Sequence, residues 1–337
     1  MIEILRGLLF LDEVTGIRGL LARNAVPRDD PAARNSVDTP WHDAASHYER
    51  FVWRADVSRD QYAGALFGYA MAFFAFPGDA EIESLVAQGS SAIADHLIQN
   101  GYRIVDPDGR PTKHGDLRHR FGGIVPIGVN ATISLLALEV ARLSTDDGRY
   151  SRAKNDLVAR GAAGAVAWSK FQIFGKTNHN NDNMQFLTNW PLVLLERDPA
   201  TRRLYLAGLA RTWEYVRLEG NSFFTYAAAT VLPVEPRALG EAKDTLLRFP
   251  AEKRSMIVDV TDRAEFGRFP FTNRKGTPRA TGAIPISYRA PTSFAWRDDP
   301  YELVSGRRPE GGLAYAGADY LLAYWLGRAA GFLTESD

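Results

Sequence analysis

A histidine flanked by amides and acids is the feature of this sequence best suited to chemistry. Residues 177–183 read Thr-Asn-His-Asn-Asn-Asp-Asn and lie just before an apolar stretch predicted to be helical. One helix cap would account for one or two of these side chains, but not for the whole group. Because histidine can exchange a proton near neutral pH, we predict that His179 is catalytic and that Asn178, Asp182 and Asn183 bind substrate.

A second polar group surrounds the start of another predicted helix. Ser58 followed by Gln61 is typical of a capping box. Asp56 precedes this cap, so its carboxylate is free for catalysis, whereas Asp60 lies in the first turn, where the helix dipole favours a charged carboxylate. The alternative is that Asp56 pairs with an arginine and Asp60 only complements the dipole. The predicted catalytic residues of this group are Asp56 and Tyr62, and the predicted substrate-binding residues are Trp53 and Asp60.

Two histidines with an aspartate between them form the third group. His114 and His119 lie five residues apart in the segment 112–120, and Asp116 separates them. Such a pair can supply a general acid and a general base. We predict that His114 is catalytic and that Arg118 binds substrate, with a solvated basic loop as the alternative. The spacing differs from the i, i+4 pair of a zinc-binding helix and no third ligand is evident nearby, so we predict neither a metal site nor a cofactor.

Aromatic residues beside charged ones occur later in the chain. Tyr288-Arg289 and Trp296-Arg297-Asp298 are of this kind, and the segment Glu219-Gly220-Asn221 precedes two phenylalanines. A sugar stacks its C–H faces on aromatic rings and offers its hydroxyls to charged side chains. We therefore predict that Trp296 binds substrate.

The composition is that of an ordinary globular protein. Of 337 residues, 45% are hydrophobic and 24% charged, with 40 basic and 40 acidic side chains and no cysteine. Balanced charge gives no global attraction for nucleic acid, and the lack of cysteine excludes disulfides and thiolate metal sites. The apolar run 4–11 is too short to span a bilayer, so we predict no membrane span. Export after removal of a leader and a cytoplasmic location both stay open, as does the oligomeric state.

Short and long connections alternate between the predicted helices, which is the pattern of helical hairpins. After the first helix comes a loop containing three prolines, at positions 27, 31 and 40. Apolar periodicity and capping signals predict helices near 2–22, 58–76, 79–100, 124–144, 149–171, 183–196, 199–218, 222–231, 237–248 and 317–333. The short connections are 76–79, 146–148 and 196–199, and the long polar ones lie near 101–123, 172–182 and 250–316.

In paired-helix folds every second connection lies on the same face. The polar residues around positions 56, 114 and 179 are therefore expected to meet at one end of the molecule. We predict a single all-α domain over 1–337, in which 250–316 is mostly loop with possible short strands before the last helix.

This rhythm resembles the α/α toroid, either an incomplete or a six-hairpin barrel, in which outer helices surround inner ones. Six-hairpin glycosidases, several polysaccharide lyases and the linalool dehydratase-isomerase family share that fold. The resemblance is architectural and covers about residues 1–249 and the last helix. It implies a site at the funnel mouth, where the candidate inner helices begin after 57, 123, 182, 221 and 317. The Asn178-His179 pair is similar to that of alginate-lyase-like toroids, which implies that both residues neutralise a uronate carboxylate while a tyrosine, here Tyr62, moves the proton.

Three functions are compatible with these residues. The first is a carbohydrate-active enzyme acting on an oligosaccharide or a small molecule. A glycoside hydrolase would use two carboxylates, such as Asp56 with Asp182, about 5–5.5 Å apart for retention or 6.5–9.5 Å for inversion. A lyase would use His179, Tyr62, Asn178 and Arg118.

The second function is that of a dehydratase-isomerase of a small, largely apolar alcohol, although the linalool enzyme's site uses cysteines, which this chain lacks. The third is a non-catalytic glycan-binding protein.

Overall fold

The protein is predominantly helical in a computed structural model. The structure describes residues 1–34, 41–169, 179–249, 257–270, 272, 276–290, 299–306 and 317–335. The helices are α1 Ile2–Glu13, α2 Pro31–Arg34, α3 Arg59–Ala75, α4 Ala80–Gln99, α5 Gly128–Thr145, α6 Gly148–Ala159, α7 Ala162–Ala167, α8 His179–Leu195, α9 Pro199–Val216, α10 Ser222–Ala229, α11 Pro236–Leu247 and α12 Ala318–Ala329. The strands are β1 Asn24–Pro27, β2 Trp41–Asp43, β3 Phe51–Arg54, β4 Arg103–Val105, β5 Pro111–Asp116, β6 Arg120–Phe121, β7 Val125–Pro126, β8 Ile257–Asp259 and β9 Val304–Gly306.

Two of the segments predicted as loops contain antiparallel strands. The proline-containing loop after α1 supplies a three-stranded sheet in the order β1-β3-β2, and the first long polar connection contains the pairs β4–β5 and β6–β7. These strands are two to six residues long, so their alternating pattern is too short to separate from loop in the sequence. In the third long connection, for which possible short strands were predicted, β8 pairs with β9.

Two predicted helices were too long. The first ends at Glu13 because the Thr15 hydroxyl donates to Asp12 O at 2.8 Å and accepts from Ile17 N at 3.0 Å. These local side-chain bonds replace the helical ones. The predicted helix 149–171 is divided into α6 and α7 at Gly161, whose φ of 94° is left-handed. Glycine adopts that conformation without steric cost.

Contacts within the chain divide it into two compact units. The first comprises Met1–Ser169 and Leu187–Gly208, and the second comprises Lys170–Phe186 and Leu209–Asp337. Two of the boundaries fall inside α8 and α9. The single-domain organisation stays a prediction.

The core of the first unit is built around α5. All residues from Gly128 to Ala141 are buried, and α5 contacts α3, α4, α6 and α7. Contacts between the consecutive helices α3 and α4, and between α5 and α6, are those of helical hairpins.

A buried ion network connects α5, α6 and the residue that follows α8. Lys154 Nζ of α6 is 2.7 Å from Glu139 Oε2 of α5 and 2.6 Å from Glu196 Oε2, which follows α8. The side chain of Glu139 is fully buried and that of Lys154 is 9% exposed. Burial opposes ionisation of Glu139, but the adjacent Arg142 and Lys154 outweigh it and lower the pKa of its carboxyl. The network therefore holds charged groups together in the interior.

In the second unit the apolar helix α10 contacts α11 and α12. Phe223 and Phe224 of α10 are buried, and Phe224 stacks on Phe186 with ring centroids 4.3 Å apart. A smaller cluster of Val260, Ala280, Ile284 and Leu303 lies around the β8–β9 pair. Within the described residues, no helix is both long enough and apolar enough to cross a membrane.

The buried carboxyl of Asp12 in α1 gives the first unit a pH-dependent stability. Asp12 is 8% exposed, and burial raises its pKa from 3.8 to about 6, although Oδ1 accepts a hydrogen bond from Gly19 N at 2.6 Å. The native state therefore binds a proton more tightly than the unfolded chain, so the free energy of unfolding falls as pH rises from about 4 to about 6. At about 1.4 kcal/mol per pKa unit, this shift corresponds to about 3 kcal/mol.

Asp12→Asn keeps the acceptor for Gly19 and removes the titrating group. We expect the free energy of unfolding to fall less with rising pH in the variant than in the wild type. The measurement is urea unfolding at a series of pH values between 4 and 7. The matched control is Asp29→Asn, which removes an exposed carboxylate. An unchanged pH dependence in Asp12→Asn would contradict the assignment.

Candidate functional site

A buried cluster of one histidine and two carboxylates lies in the second unit. His179 and Asp182 belong to the first turn of α8, and Glu219 lies shortly before α10. One ligand-type atom from each of the three lies within 4.8 Å of the others. The exposed fractions are 6% for His179, 1% for Asp182 and 2% for Glu219. His179 Nδ1 and Glu219 Oε2 are 3.3 Å apart.

Helical periodicity places two of these residues on one face. His179 and Asp182 are three residues apart in α8, so their side chains project to the same side. One turn further on, Phe186 stacks on Phe224 of α10 and fixes this face of α8 against that helix. The imidazole ring of His179 also lies against Phe224, with centroids 5.9 Å apart.

A tight turn directs Glu219 toward α8. Gly220 has a left-handed φ of 66°, and Asn221 then caps α10 by accepting a hydrogen bond from Phe224 N at 3.1 Å. The backbone carbonyl of Glu219 accepts a hydrogen bond from Arg289 Nη2 at 2.8 Å. Glycine is suited to the turn because a side chain there would be strained.

The field at His179 is negative. Burial alone would disfavour the imidazolium, but Glu219, Asp182 and Asp299 outweigh it and raise the pKa of His179. Burial and the charges of Glu219, Asp299 and Asp182 also raise the pKa of the Tyr301 hydroxyl. The charge of Asp299 is matched by Arg279, whose Nη2 lies 2.9 Å from Asp299 Oδ2. Glu219 makes the largest contribution that raises the pKa of His179.

Several buried polar atoms of this region have no hydrogen-bond partner among the described residues. They include both ring nitrogens of His179, Oε2 of Glu219, both amide atoms of Gln185 and Nδ2 of Asn221. The 3.3 Å contact between His179 and Glu219 is an ion-pair distance whose angles fall short of a hydrogen bond. Buried polar groups in folded proteins are nearly always satisfied, so this concentration indicates a place where a ligand, ion or water binds.

A cleft adjoins Glu219. Its volume is about 290 Å³, and its wall includes Glu219, Gly220, Thr245, Arg248 and Arg289. This is close to the lower end of the range of about 300–1,000 Å³ for small-molecule sites. The residues of the cluster could hold a divalent cation through one nitrogen and two oxygens, and the arginines of the cleft could hold an anionic group.

Similarity to known proteins assigns no family to this chain. Models of protein families, curated protein sequences and solved structures were each compared with it, and none gave a match. The function therefore has to be argued from the site itself.

Two residues predicted from the sequence come together in this cluster, namely His179 and Asp182. Asn183, predicted to bind substrate, is 4% exposed and follows Asp182 in α8. Asn178 and Trp296 lie outside the described residues.

In the first unit, Asp56 meets the strand that carries His114. Its Oδ1 accepts a hydrogen bond from Lys113 N at 2.8 Å, and its Oδ2 lies 3.7 Å from Nη1 of Arg23. Asp56 has a left-handed φ of 57°, which is uncommon for a residue with a side chain and is enriched at functional sites. The structure thus brings the neighbourhoods of positions 56 and 114 together. It also shows Asp56 beside an arginine, Arg23, which was the alternative to a catalytic role.

Tyr62, predicted to move a proton, is fully buried. Its hydroxyl donates to Gly19 O at 2.6 Å and accepts from Leu21 N at 3.3 Å, and burial raises its pKa. Both hydrogen-bonding roles of the hydroxyl are occupied by backbone groups. This arrangement weighs against proton transfer and gives Tyr62 the structural role of holding the turn after α1.

The other predicted residues of the first unit have ordinary surroundings. Trp53 is 2% exposed, stacks on His42 with centroids 4.8 Å apart and donates from its indole to Asp43 O at 3.1 Å. Three others are exposed: Asp60, which contacts the Ser58 hydroxyl, His114, and Arg118, which pairs with Asp116 at 2.6 Å. Trp53 is thus a packed core residue, whereas these three are available to solvent.

Sequence reasoning missed Glu219 as a member of the cluster and Asp299 as a charge that acts on His179. Glu219 was visible as an acid before a pair of phenylalanines, but no pattern linked it to His179. Asp299 lies in a segment without periodicity. Their approach to His179 depends on tertiary packing, which short-range spacing does not encode.

Proposed function

We propose that the chain is a carbohydrate-active enzyme, a polysaccharide lyase or a glycoside hydrolase, built as an α/α toroid with the cluster of His179, Asp182 and Glu219 at its centre. The observation that carries the proposal is the meeting of these three residues. They come from the starts of α8 and α10, two helices that the toroid resemblance treats as inner ones. Sites of such folds lie where inner helices begin.

A contact in the first unit supports the same arrangement. Arg59, the first residue of α3, donates from Nη1 to Asn130 Oδ1 at 2.9 Å. Asn130 lies in the first turn of α5 and donates from Nδ2 to the backbone carbonyls of Asp116 at 2.8 Å and Arg118 at 3.0 Å. The starts of two further candidate inner helices are therefore neighbours, together with the loop that follows β5.

The chemistry of the cluster suits proton transfer in a place shielded from water. An imidazole and two carboxylates can take a proton from a sugar carbon, a hydroxyl or a water molecule and can return one to a leaving oxygen. The adjoining cleft contains Arg248 and Arg289, which can hold the carboxylate of a uronic acid by charge-assisted hydrogen bonds. Acidic sugars are therefore the first substrates to test.

The experiment is a panel of uronic-acid and neutral oligosaccharides with two readouts. A lyase produces an unsaturated uronate that absorbs in the ultraviolet, and a hydrolase produces new reducing ends without that absorbance. We expect turnover of at least one acidic saccharide by either readout. Saturable binding without turnover would instead favour a glycan-binding protein, and conversion only of small apolar alcohols would favour a dehydratase.

A further inference from the structure

We infer that His179, Asp182 and Glu219 bind one divalent transition-metal cation of the zinc class. The inference deepens the proposed function, and only the part that the metal would play in catalysis rests on that function. Metal binding itself is supported by the spacing and burial of the three residues and by the unsatisfied atoms of His179 and Glu219.

The spacing of the ligand atoms fits such an ion. Zinc binds nitrogen and oxygen at about 2.0–2.2 Å in tetrahedral geometry, which places two ligand atoms about 3.3–3.5 Å apart. His179 Nδ1 and Glu219 Oε2 are 3.3 Å apart. The third ligand atom, from Asp182, lies within 4.8 Å of both. The three ligand atoms are therefore close enough together to share one ion.

Burial makes the three residues a ligand set shielded from water. Asp182 and Glu219 are each at least 98% buried, and His179 is 6% exposed. Carboxylate oxygens and an imidazole nitrogen are ligands that zinc takes in proteins.

The unsatisfied atoms identify where the ion would sit. Both nitrogens of the His179 ring and Oε2 of Glu219 are buried and have no hydrogen-bond partner within the described part of the chain. A metal bond to Nδ1 and to Oε2 would satisfy one atom of each residue. Metal-bound histidines usually donate the other ring N–H to a neighbouring polar group.

The ligand set selects the class of metal. One imidazole and two carboxylates suit zinc and similar transition metals, whereas Mg²⁺ and Ca²⁺ prefer oxygen ligands alone. Three protein ligands leave a fourth position for water or substrate, which is the pattern of catalytic zinc sites. When bound, such a metal would replace its three ligands in acid–base chemistry, because it would polarise a substrate oxygen or lower the pKa of a bound water.

The test measures metal content and stability of the full chain. The protein is stripped with a chelator, dialysed against Zn²⁺, Mn²⁺, Mg²⁺ or Ca²⁺ separately, and analysed by elemental mass spectrometry and thermal unfolding. We expect one zinc ion per chain, a higher Tm with zinc than without, and much weaker binding of Mg²⁺ and Ca²⁺. Because metal content and Tm are measured on the wild-type protein, the result does not depend on whether a variant folds.

The variants His179→Gln and Glu219→Gln locate the ion. Each should weaken zinc binding at least about 100-fold, more than the roughly 10–100-fold loss expected for a residue that only orients a ligand. Glu214→Gln, the same change at an exposed position of the same unit, should bind zinc like the wild type. Circular dichroism of each metal-free variant checks that it has folded.

Three results would overturn the inference: no stoichiometric zinc in the wild type, equal affinity in folded Glu219→Gln, or tighter binding of Ca²⁺ than of zinc. Failure of the two proposals can be told apart. Stoichiometric zinc without turnover of any sugar would support the metal site and count against the enzyme. Sugar turnover by protein that binds no metal would support the enzyme and overturn the metal site.

Discussion

Replacing Lys154 with methionine is expected to lower the free energy of unfolding by about 3–5 kcal/mol, the usual cost of removing one partner from a buried ion pair. Nζ of Lys154 lies 2.7 Å from Glu139 and 2.6 Å from Glu196, and both carboxylates are almost completely buried. Methionine fills a similar volume but removes the cation that both carboxylates contact. Among the described residues, Arg142 still pairs with Glu139, and Asp198 N still donates to Glu196. The measurement is equilibrium unfolding in urea at neutral pH.

A surface pair provides the control for this prediction. Arg160→Met removes the exposed i, i+4 pair with Asp156, at 2.9 Å, and should cost at most about 1 kcal/mol. A triple variant in which Glu139, Lys154 and Glu196 all become methionine should recover most of the lost stability, since no buried carboxylate is left and Arg142, which is 26% exposed, can be solvated. A loss below about 1 kcal/mol in Lys154→Met would show that the network is solvated or rearranges.

Replacing His179 with glutamine is expected to reduce kcat/KM about 10²–10⁴-fold on whichever saccharide the panel identifies, which is the usual contribution of a proton-transferring residue. Glutamine approximates the size of imidazole and keeps polar atoms, but it neither takes up a proton nor provides an aromatic nitrogen. The side chain is 5% exposed and adjoins Glu219, so the substitution removes the central group of the cluster without creating a large cavity.

His47→Gln is the matched control because His47 is exposed and lies outside the cluster. It should retain the activity of the wild type. The thermal unfolding of both variants is measured alongside, so that loss of activity is separated from loss of fold. If folded His179→Gln keeps activity within about threefold of the wild type, the cluster is not the active centre, since removal of a proton-transferring group costs far more.

Local signals in the sequence predicted the helices well where caps were explicit. The capping box of Ser58 and Gln61 starts α3 as expected, and the Asp79 side chain caps α4 by accepting from Glu81 N and Ile82 N. These signals work because each cap is satisfied within a few residues. The short strands were missed because two to six residues are too few to show an alternating pattern, and the break at Gly161 was missed because it depends on a single residue.

The candidate site was predictable only in part, for the same reason. The density of polar residues around His179 and the acid before α10 were both visible in the sequence. What joins them is the packing of Phe186 on Phe224, a contact between segments far apart in the chain. Tyr62 shows the converse: its type and position suited chemistry, yet its hydroxyl is used by the backbone of Gly19 and Leu21.

The order of the two units along the chain has a consequence for biosynthesis. The first unit needs Leu187–Gly208, which leave the ribosome after Lys170–Phe186 of the second unit. His179 and Asp182 are therefore synthesised before Glu219. Because domains tend to fold as units as they emerge, and because Glu219 follows Gly208, the sequence of the first unit is complete before the three-residue cluster can assemble.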